Sequence, residues 1–531
     1  MNRPRSGAGD GRGARPTAHE IARYEALFAA RTRSMKSSAM REMMALTERP
    51  DVISLAGGLP DTSTFDPRLY AALMAQVADG STARALQYGP TEGMSAAVEC
   101  VVEVMAAEAT SVDSDEVIIT TGGQQVIDLV CKALIDPGDV IVAEAPTYPG
   151  AVPTFGAYEA QVAQIEMDGE GMPIDALERT LDALQAEGRT PKFIYTIPNF
   201  QNPGGVTMSL ARRRRLVEVA RERELLVLED NPYGLLRYEG EPLPTLYSLD
   251  AEAEGTGGAA DLVIYLGTFS KILSPGLRLG WAVAPRPVLE KLNLGKQGSD
   301  LCSSPVTQLF VSAYFKQRGA DGSAVWSDYL EELKLLYRRR RDLMLEALDE
   351  HFGERARWTR PQGGLFVWAT LEDHIDTTDL LAHARREGVA FVPGRAAYMD
   401  GHSGASSMRL NFAGVPDADI REGIRRIGRV LAQQVRLLGT LSGSLKSAGG
   451  AVPAPHREPA AKGEREPAAK GGHEPVTEHG REHAAEQQRS PEESRRAPQG
   501  VESAGEGAPL ADVVALPRRQ DQESVRRRRD R

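Results

Sequence analysis

A lysine flanked by hydroxyl side chains and an arginine marks the segment of this chain best equipped for chemistry. Lys271 follows the apolar run 263–267, with Thr268 and Ser270 before it and Arg278 after it. Hydroxyl and guanidinium groups bind phosphate, and a neutral lysine amine can form a Schiff base with a carbonyl compound. A lysine in such a loop is most often merely solvated, so the three neighbouring anion donors are what favour a site for an anionic cofactor.

Three further polar clusters stand at the ends of short apolar runs, at residues 120–125, 199–205 and 229–233. The first contains Gly122 and Gly123, and glycines at a turn from a strand to a helix let backbone N–H groups approach a phosphate. This glycine pair is weak support when it is taken alone. All four clusters, however, would lie beyond the carboxyl ends of strands, where an open α/β sheet binds its ligands.

The elements that must position these residues follow an alternating pattern. Short apolar runs that predict strands are residues 117–121, 140–143, 193–197, 225–229, 263–267 and 280–283. Helical patterns lie between several of them, at residues 177–186 and 210–223. Continuous apolar strands that alternate with helices indicate an α/β fold with a mostly parallel sheet covered on both faces.

A second region, of α+β type, is predicted after about residue 325. Its helices are predicted at 328–352, 377–387 and 418–438, and its strands at 364–370 and 408–412. The expected organisation is a disordered leader (1–19), an N-terminal helix and arm that join the small domain (20–60), a large cofactor-binding domain (61–324), the small domain (325–440) and a disordered low-complexity tail (441–531).

Composition excludes several other classes of protein. Apolar residues make up 41% of the 531 residues and the net charge is −11, which fits a globular protein and disfavours nucleic acid as a partner. The three cysteines are too few for a disulfide framework, and the scattered histidines predict no metal site. The sequence has no apolar run long enough to span a bilayer and no secretory signal, so we expect a cytoplasmic protein without a membrane partner.

Several motifs, taken in order, resemble those of one enzyme family. They are the Ser-Leu-Ala-Gly-Gly-Leu-Pro-Asp run at 54–61, Gln-Tyr-Gly-Pro-Thr-Glu-Gly at 87–93, Pro-Thr-Tyr-Pro-Gly at 146–150, Asn-Pro-x-Gly from Asn202, Asp-x-x-Tyr from Asp230, Ser-Lys-x-x-x-x-Gly-x-Arg from Ser270, and Phe-Val-Pro-Gly at 391–394. From about residue 25 to 438 the chain resembles the class I and II aminotransferases, pyridoxal-phosphate enzymes of fold type I. It is most similar to the branch that contains 2-aminoadipate and kynurenine aminotransferases.

The resemblance implies a role for each matching residue around the cofactor ring. Lys271 would hold pyridoxal 5′-phosphate as an internal aldimine and would then move the proton between the substrate Cα and the cofactor. Asp230 would keep the pyridine nitrogen protonated, which makes the ring an electron sink. Asn202 and Tyr233 would hydrogen-bond the ring O3′, and Tyr148 would stack on the ring.

The resemblance also implies how the phosphate is bound. The donors would be Thr268, Ser270, Arg278 and the backbone of Gly123 and Gln124. The family often has serine at the position of Gly123, so one hydroxyl contact is lost here while the backbone N–H is kept. Tyr88 would reach the phosphate from the neighbouring subunit, which implies a homodimer with shared active sites.

For the substrate, the resemblance implies a carboxylate clamp. Arg409 would bind the α-carboxylate in a bidentate fork, close to Gly58 and Asn202. From the sequence alone, a purely structural arginine in a strand is an equally good interpretation of Arg409. Arg41, in the N-terminal helix, would pair with a distal carboxylate such as that of glutamate or 2-aminoadipate, and an arginine on a solvated helix face is the alternative.

The predicted reaction is transfer of an amino group between an L-amino acid (2-aminoadipate, glutamate, aromatic or branched-chain type) and a 2-oxo acid such as 2-oxoglutarate. The alternative is another pyridoxal-phosphate reaction on the same fold, a β-lyase or a decarboxylase, because fold does not fix reaction type. A non-enzymatic regulator with this fold would carry a winged helix before the matching region, which begins near residue 25 here, and the acidic body disfavours DNA. The tail could be a separate interaction module.

Overall fold

The computed structural model describes residues 24–25, 27–33, 35, 51–253 and 260–448. In chain order, the strands are β1 (Ile53–Ser54), β2 (Val117–Thr120), β3 (Val140–Ala145), β4 (Gln161–Glu166), β5 (Phe193–Thr196), β6 (Leu226–Asp230), β7 (Val263–Thr268), β8 (Gly280–Val283), β9 (Ala356–Trp358), β10 (Phe366–Leu371), β11 (Val389–Ala390), β12 (Val392–Pro393) and β13 (Ser407–Asn411).

The helices are α1 (Pro67–Ala85), α2 (Ser95–Ala107), α3 (Gly123–Leu134), α4 (Val152–Ala157), α5 (Ile174–Ala186), α6 (Leu210–Glu222), α7 (Leu246–Ala251), α8 (Phe269–Ile272), α9 (Arg286–Gln297), α10 (Pro305–Phe315), α11 (Val325–His351), α12 (Thr377–Ala384) and α13 (Asp417–Ala448). Among the described residues, no helix is both long enough and apolar enough to cross a membrane.

A seven-stranded sheet has the order β2-β8-β7-β6-β5-β3-β4. Strand β8 runs antiparallel to both its neighbours, and the other pairs are parallel. Every residue of β2, β3, β5, β7 and β8 is buried. Because successive side chains of a strand point to opposite faces, this burial means that both faces are covered. The predicted α/β fold with a mostly parallel sheet is therefore confirmed.

The edge strand β4 was not predicted from the sequence. Its residues Gln-Val-Ala-Gln-Ile-Glu mix polar and apolar side chains, and only Ile165 is fully buried. Strand β4 pairs only with β3, and its exposed end residues Gln161 and Glu166 leave it without the continuous apolar run that marks the inner strands.

A separate four-stranded sheet is antiparallel throughout, in the order β12-β13-β10-β9. The long helices α11 and α13 pack against each other, and α13 also contacts β1 and β11. Strand β1 pairs in parallel with β11, Ile53 opposite Val389, so the segment before residue 60 reaches this part of the fold. The exact domain boundaries at 60, 324 and 440 stay predictions.

The C-terminal boundary of the helical region differs from the sequence prediction. The closing helix is predicted to end at residue 438, but the described helix α13 runs to Ala448. In the sequence, Leu441 and Leu445 continue the helical spacing of Leu437 and Leu438, a signal that the polar composition of the tail obscured. The predicted leader, the helix that contains Arg41 and the rest of the tail lie outside the described residues.

Candidate active site

A cavity of about 530 Å³ opens at the carboxyl ends of the strands β5, β6 and β7. Asp230 is the last residue of β6 and Thr268 is the last residue of β7. Most of the predicted site residues line this cavity: Gly58, Gly123, Gln124, Tyr148, Asn202, Asp230, Tyr233, Thr268, Ser270, Lys271 and Arg278. Ligands of open α/β folds bind at the carboxyl ends of the strands. The residues that the motifs singled out lie at these strand ends.

Lys271 lies on the short helix α8, which begins directly after β7. Thr268 caps this helix, since its hydroxyl accepts a hydrogen bond from the backbone N–H of Ser270 at 3.1 Å. The Lys271 Nζ donates to the carbonyl oxygen of Gly58 at 2.7 Å. Burial lowers the pKa of Lys271 to about 8, and the positive charges of Arg409 and Arg278 add to this shift, while Asp230 opposes it. A larger fraction of this amine is therefore neutral near pH 7 than for an ordinary lysine.

Asp230 forms the deep end of the cavity. One of its carboxylate oxygens, Oδ2, accepts a hydrogen bond of 2.6 Å from the hydroxyl of Tyr195, a buried residue of the neighbouring strand β5. Burial raises the pKa of Asp230 to about 6, and the Tyr195 hydrogen bond and the charge of Lys271 oppose the rise. The carboxyl group therefore stays largely ionised at pH 7 in spite of its burial.

Arg409 lies next to the cavity, behind Asn202. From strand β13 its Nη1 donates to Asn202 Oδ1 at 2.9 Å and its Nη2 to the carbonyl of Ala56 at 2.8 Å. The guanidinium stands over the ring of Phe366, 4.4 Å from the centroid. Asn202 Nδ2 in turn donates to the Tyr233 hydroxyl at 3.4 Å. Burial lowers the pKa of Arg409 to about 10, so this guanidinium remains charged at neutral pH.

The other end of the cavity is the turn that opens helix α3. Gly122 has φ +83°, and no side chain caps the helix. A Cβ on Gly122 would lie 2.5 Å from Nη2 of Arg278, and one on Gly123 would lie 2.9 Å from Leu266 Cδ2. A side chain at position 123 would therefore meet the end of the Leu266 side chain, which would have to shift to make room. The first backbone N–H groups of the helix have no partner within the helix, and they face the cavity together with the positive end of the helix dipole.

Hydroxyl groups and an aromatic ring complete the lining. The hydroxyls of Thr268 and Ser270 are 2.9 Å apart, on the same side of the cavity as Arg278. The ring of Tyr148 lies over Gly150, where a Cβ would be 2.4 Å from the ring carbon Cζ. Gly150 therefore lets this ring pack directly against the backbone.

Two predicted residues are not brought to this cavity. Tyr88 is 78% exposed on this chain and does not line it. Arg41 lies outside the described residues. Conversely, the sequence analysis missed Tyr195, because its contact with Asp230 depends on the register of two strands. Tyr195 is paired with Leu228, two residues before Asp230, so both side chains lie on one face of the sheet.

The donor set fits a phosphorylated pyridine ring that carries a carbonyl group. A buried carboxylate is placed to face a ring nitrogen, and hydroxyls, a guanidinium and a helix N-terminus lie at the end suited to phosphate. Lys271, whose pKa is lowered, and the tyrosines Tyr148 and Tyr233 line the same cavity. This combination of sheet and site defines a pyridoxal-phosphate enzyme of fold type I.

Comparison with known proteins identifies the family. The model of the family "Aminotransferase class I and II" matches residues 50–427. Aromatic-amino-acid aminotransferase 1 from Thermococcus litoralis is 42% identical over 414 residues, which cover 78% of this chain and 96% of that protein.

Two solved structures are similar over the same part of the chain. The kynurenine aminotransferase of Pyrococcus horikoshii, in complex with PMP, KYN and KYA, is 39% identical with a TM-score of 0.71, covering 78% of this chain and 99% of that one. The α-aminoadipate aminotransferase LysN of Thermus thermophilus, complexed with N-(5′-phosphopyridoxyl)-L-leucine, is 36% identical with a TM-score of 0.71 and the same coverage. The chain belongs to the class I and II aminotransferases and is a pyridoxal-phosphate-dependent enzyme that acts on small amino and 2-oxo acids.

Proposed function

We propose that this enzyme transfers the amino group of an aromatic L-amino acid or of 2-aminoadipate to 2-oxoglutarate. The observation that carries the proposal is the pairing of Lys271 and Asp230 in one buried cavity beside Arg409. The names of the similar proteins support the two donor types, since they act on aromatic amino acids, kynurenine and aminoadipate. Leu59 and Ile197 add apolar surface to the cavity, which suits the carbon skeleton of either donor.

Each polar group of the cavity has a part in the proposed reaction. When bound, pyridoxal phosphate supplies an electron-poor ring that accepts the electron pair left when the substrate Cα loses its proton. Lys271 Nζ takes this proton as a general base, which requires a neutral amine and is favoured by its lowered pKa. Asp230, largely ionised at neutral pH, would keep a proton on the ring nitrogen of the bound cofactor.

Binding and orientation fall to the remaining groups. Arg409 binds the substrate α-carboxylate in a fork, while its hydrogen bonds to Asn202 and Ala56 fix the plane of the guanidinium. Asn202 and Tyr233, which are hydrogen-bonded to each other, would hold the ring oxygen of the cofactor. Because Arg409 donates a hydrogen bond to Asn202, the residue that binds the substrate carboxylate and a residue that holds the cofactor ring are positioned together.

The proposed active form is a homodimer. Tyr88 is 78% exposed on a single chain, which suits a residue that completes a neighbouring site. In the dimer, the partner subunit's Tyr88 would donate its hydroxyl to the phosphate. We expect Tyr88→Phe to weaken pyridoxal-phosphate binding severalfold while leaving the dimer intact, as measured by cofactor titration and by light scattering.

Arg41 is proposed to select donors with a distal carboxylate. The matched comparison is Arg41→Ala against wild type, with 2-aminoadipate and an aromatic donor assayed in parallel. A fall in kcat/KM for 2-aminoadipate of about tenfold, with the aromatic donor unchanged, is expected for one lost ion pair. If both donors kept their wild-type kcat/KM, Arg41 would have no such role.

The proposed function is tested by the two half-reactions followed separately. Mixing the holoenzyme with single amino acids should bleach the visible absorbance of the bound cofactor for the true donors, and 2-oxoglutarate should restore it. Product analysis separates the alternatives, because pyruvate with ammonia would mark elimination and carbon dioxide would mark decarboxylation. Lys271→Ala should abolish turnover, and full turnover in this variant would refute the proposed function.

A further inference from the structure

A buried lysine that does not face the cavity lies behind the turn that opens α3. Lys296, near the end of helix α9, has no exposed side-chain surface. Its Nζ donates to Asp300 Oδ1 at 2.7 Å, to Ser303 Oγ at 3.1 Å and to Gln125 Oε1 at 3.4 Å. A lysine is almost never buried completely unless its charge is paired and its N–H groups are bonded.

The partners of Lys296 also form hydrogen bonds with Thr121, which lies in the turn that opens helix α3. Asp300 Oδ2 accepts from the Thr121 hydroxyl at 2.7 Å, and the Ser303 hydroxyl lies 3.3 Å from the Thr121 hydroxyl oxygen. Gln125 Oε1 accepts from the backbone N–H of Thr121 at 2.7 Å. The N–H and the hydroxyl of Thr121 are therefore both held by groups that Lys296 bonds.

The third polar group of Thr121 points the other way. Its carbonyl accepts from Arg278 Nη2 at 3.4 Å, so Thr121 connects the Lys296 cluster to the cavity. Thr121 directly precedes Gly122 and Gly123, whose backbone must approach the cavity closely. Because Gly122 itself offers no side chain to fix the turn, the position of the helix N-terminus depends on how Thr121 is held.

We propose that Lys296 is a positioning residue for cofactor binding: through Asp300, Ser303 and Gln125 it fixes Thr121, and thereby aims the backbone N–H groups at the start of α3 toward the cofactor phosphate. This inference rests on the pyridoxal-phosphate site and is independent of which amino donor the enzyme uses. Lys296 contacts no reacting group, so its effect is confined to the phosphate end of the ligand.

The test compares two cofactor forms that differ only in the phosphate. The full-length chain is freed of cofactor by dialysis, and the dissociation constants of pyridoxal phosphate and of unphosphorylated pyridoxal are measured by absorbance titration. The variants are Lys296→Met and, as the matched control, Lys132→Met. Lys132 lies on helix α3, and its Nζ donates to the Ser299 hydroxyl at 2.8 Å. It is exposed, and Ser299 is not one of the residues that bond Thr121.

We expect Lys296→Met to weaken pyridoxal-phosphate binding about tenfold while changing the affinity for pyridoxal less than about twofold. Lys132→Met should bind both forms like wild type. Equal weakening of both forms by Lys296→Met, or unchanged binding of pyridoxal phosphate, would overturn the inference. If Lys296→Met does not fold, Thr121→Val carries the same test, because it removes the hydroxyl that joins the turn to Asp300.

The wild-type titration separates this inference from the proposed function. A wild-type chain that forms no cofactor absorbance at all would overturn both. A wild-type chain that binds normally, beside a Lys296→Met variant with unchanged affinities, would overturn only the positioning role of Lys296.

Discussion

The two ends of the cavity hold their ligand by different physical means. Asp230 at the deep end and Arg409 beside the cavity are buried charges, and they are held by hydrogen bonds that include those to Tyr195, Asn202 and Ala56. At the end formed by the start of helix α3, called the outer end here, Arg278 is exposed, and in the proposed function it would share the binding of the phosphate with two hydroxyls and the helix N-terminus.

This difference predicts how each end responds to substitution. A buried charge has few partners and no water to replace a lost one, so removing it leaves an uncompensated group. An exposed arginine among several donors can be partly replaced by water and by its neighbours. The deep end should therefore control the rate of the reaction, and the outer end should control only how tightly the cofactor is held.

The largest effect is expected for Asp230→Asn. The amide is nearly the same size but cannot hold a proton on a ring nitrogen, so kcat should fall by about three orders of magnitude. Cofactor binding should change much less, since the outer end is intact. Single-turnover rates measured with saturating cofactor check this, and a kcat within tenfold of wild type would break the contrast between the two ends.

Arg409→Lys is expected to lower kcat/KM by about a hundredfold. Lysine keeps the positive charge but cannot bind a carboxylate with two parallel N–H groups. It also removes the hydrogen bonds that Arg409 donates to Asn202 Oδ1 and to the Ala56 carbonyl. Steady-state kinetics with one amino donor measure this effect. Far-ultraviolet circular dichroism serves as the control for folding, and an unchanged KM for the donor would argue against the carboxylate clamp.

The pH dependence of cofactor association should report Lys271. Only the neutral amine attacks a carbonyl, so the rate should rise about tenfold per pH unit and level off near pH 8, where Lys271 has its lowered pKa. An ordinary lysine would keep the rate rising to about pH 10.5. Stopped-flow absorbance across pH 6 to 10 distinguishes the two profiles.

Arg278→Ala should weaken pyridoxal-phosphate binding about tenfold and leave kcat at saturating cofactor within about twofold of wild type. This split between affinity and rate is the signature expected of the outer end. A large loss of kcat at saturating cofactor would mean that the two ends do not differ as described.

The smallest effect is expected for deletion of residues 449–531. This segment follows helix α13 and has no aromatic residues with which to build a core, so the deletion should change neither kcat nor the melting temperature measurably. Deletion from residue 441 instead removes the last turns of α13 and is the informative comparison. A large loss of activity on deletion of residues 449–531 alone would show that the tail belongs to the catalytic body.

Much of the sheet could be predicted from the sequence because its central strands are continuous runs of buried apolar residues. The predicted strand 280–283 coincides with β8, and the run 117–121 differs from β2 by one residue. The edge strand β4 was missed because its residues mix polar and apolar side chains and so form no continuous apolar run. The end of α13 was placed too early because composition was given more weight than the spacing of Leu441 and Leu445.

At the site, motifs and the family resemblance located the residues that line the cavity and also Arg409 beside it, but not Tyr195 or Lys296. Lys271, Asp230 and Asn202 stand in recognisable motifs, whereas Tyr195 and Lys296 act through contacts between elements far apart in the chain. Such contacts depend on strand register and helix packing, which no local pattern encodes. The homodimer, the cytoplasmic location and the role of Arg41 stay predictions.

The most direct test of the account is to find which lysine carries the cofactor. The holoenzyme is reduced with borohydride, digested, and its peptides are mapped by mass spectrometry. The account predicts a pyridoxyl-phosphate adduct on the peptide that contains Lys271 and on Lys271 itself. An adduct on another lysine, or none in an enzyme that still turns over, would contradict it.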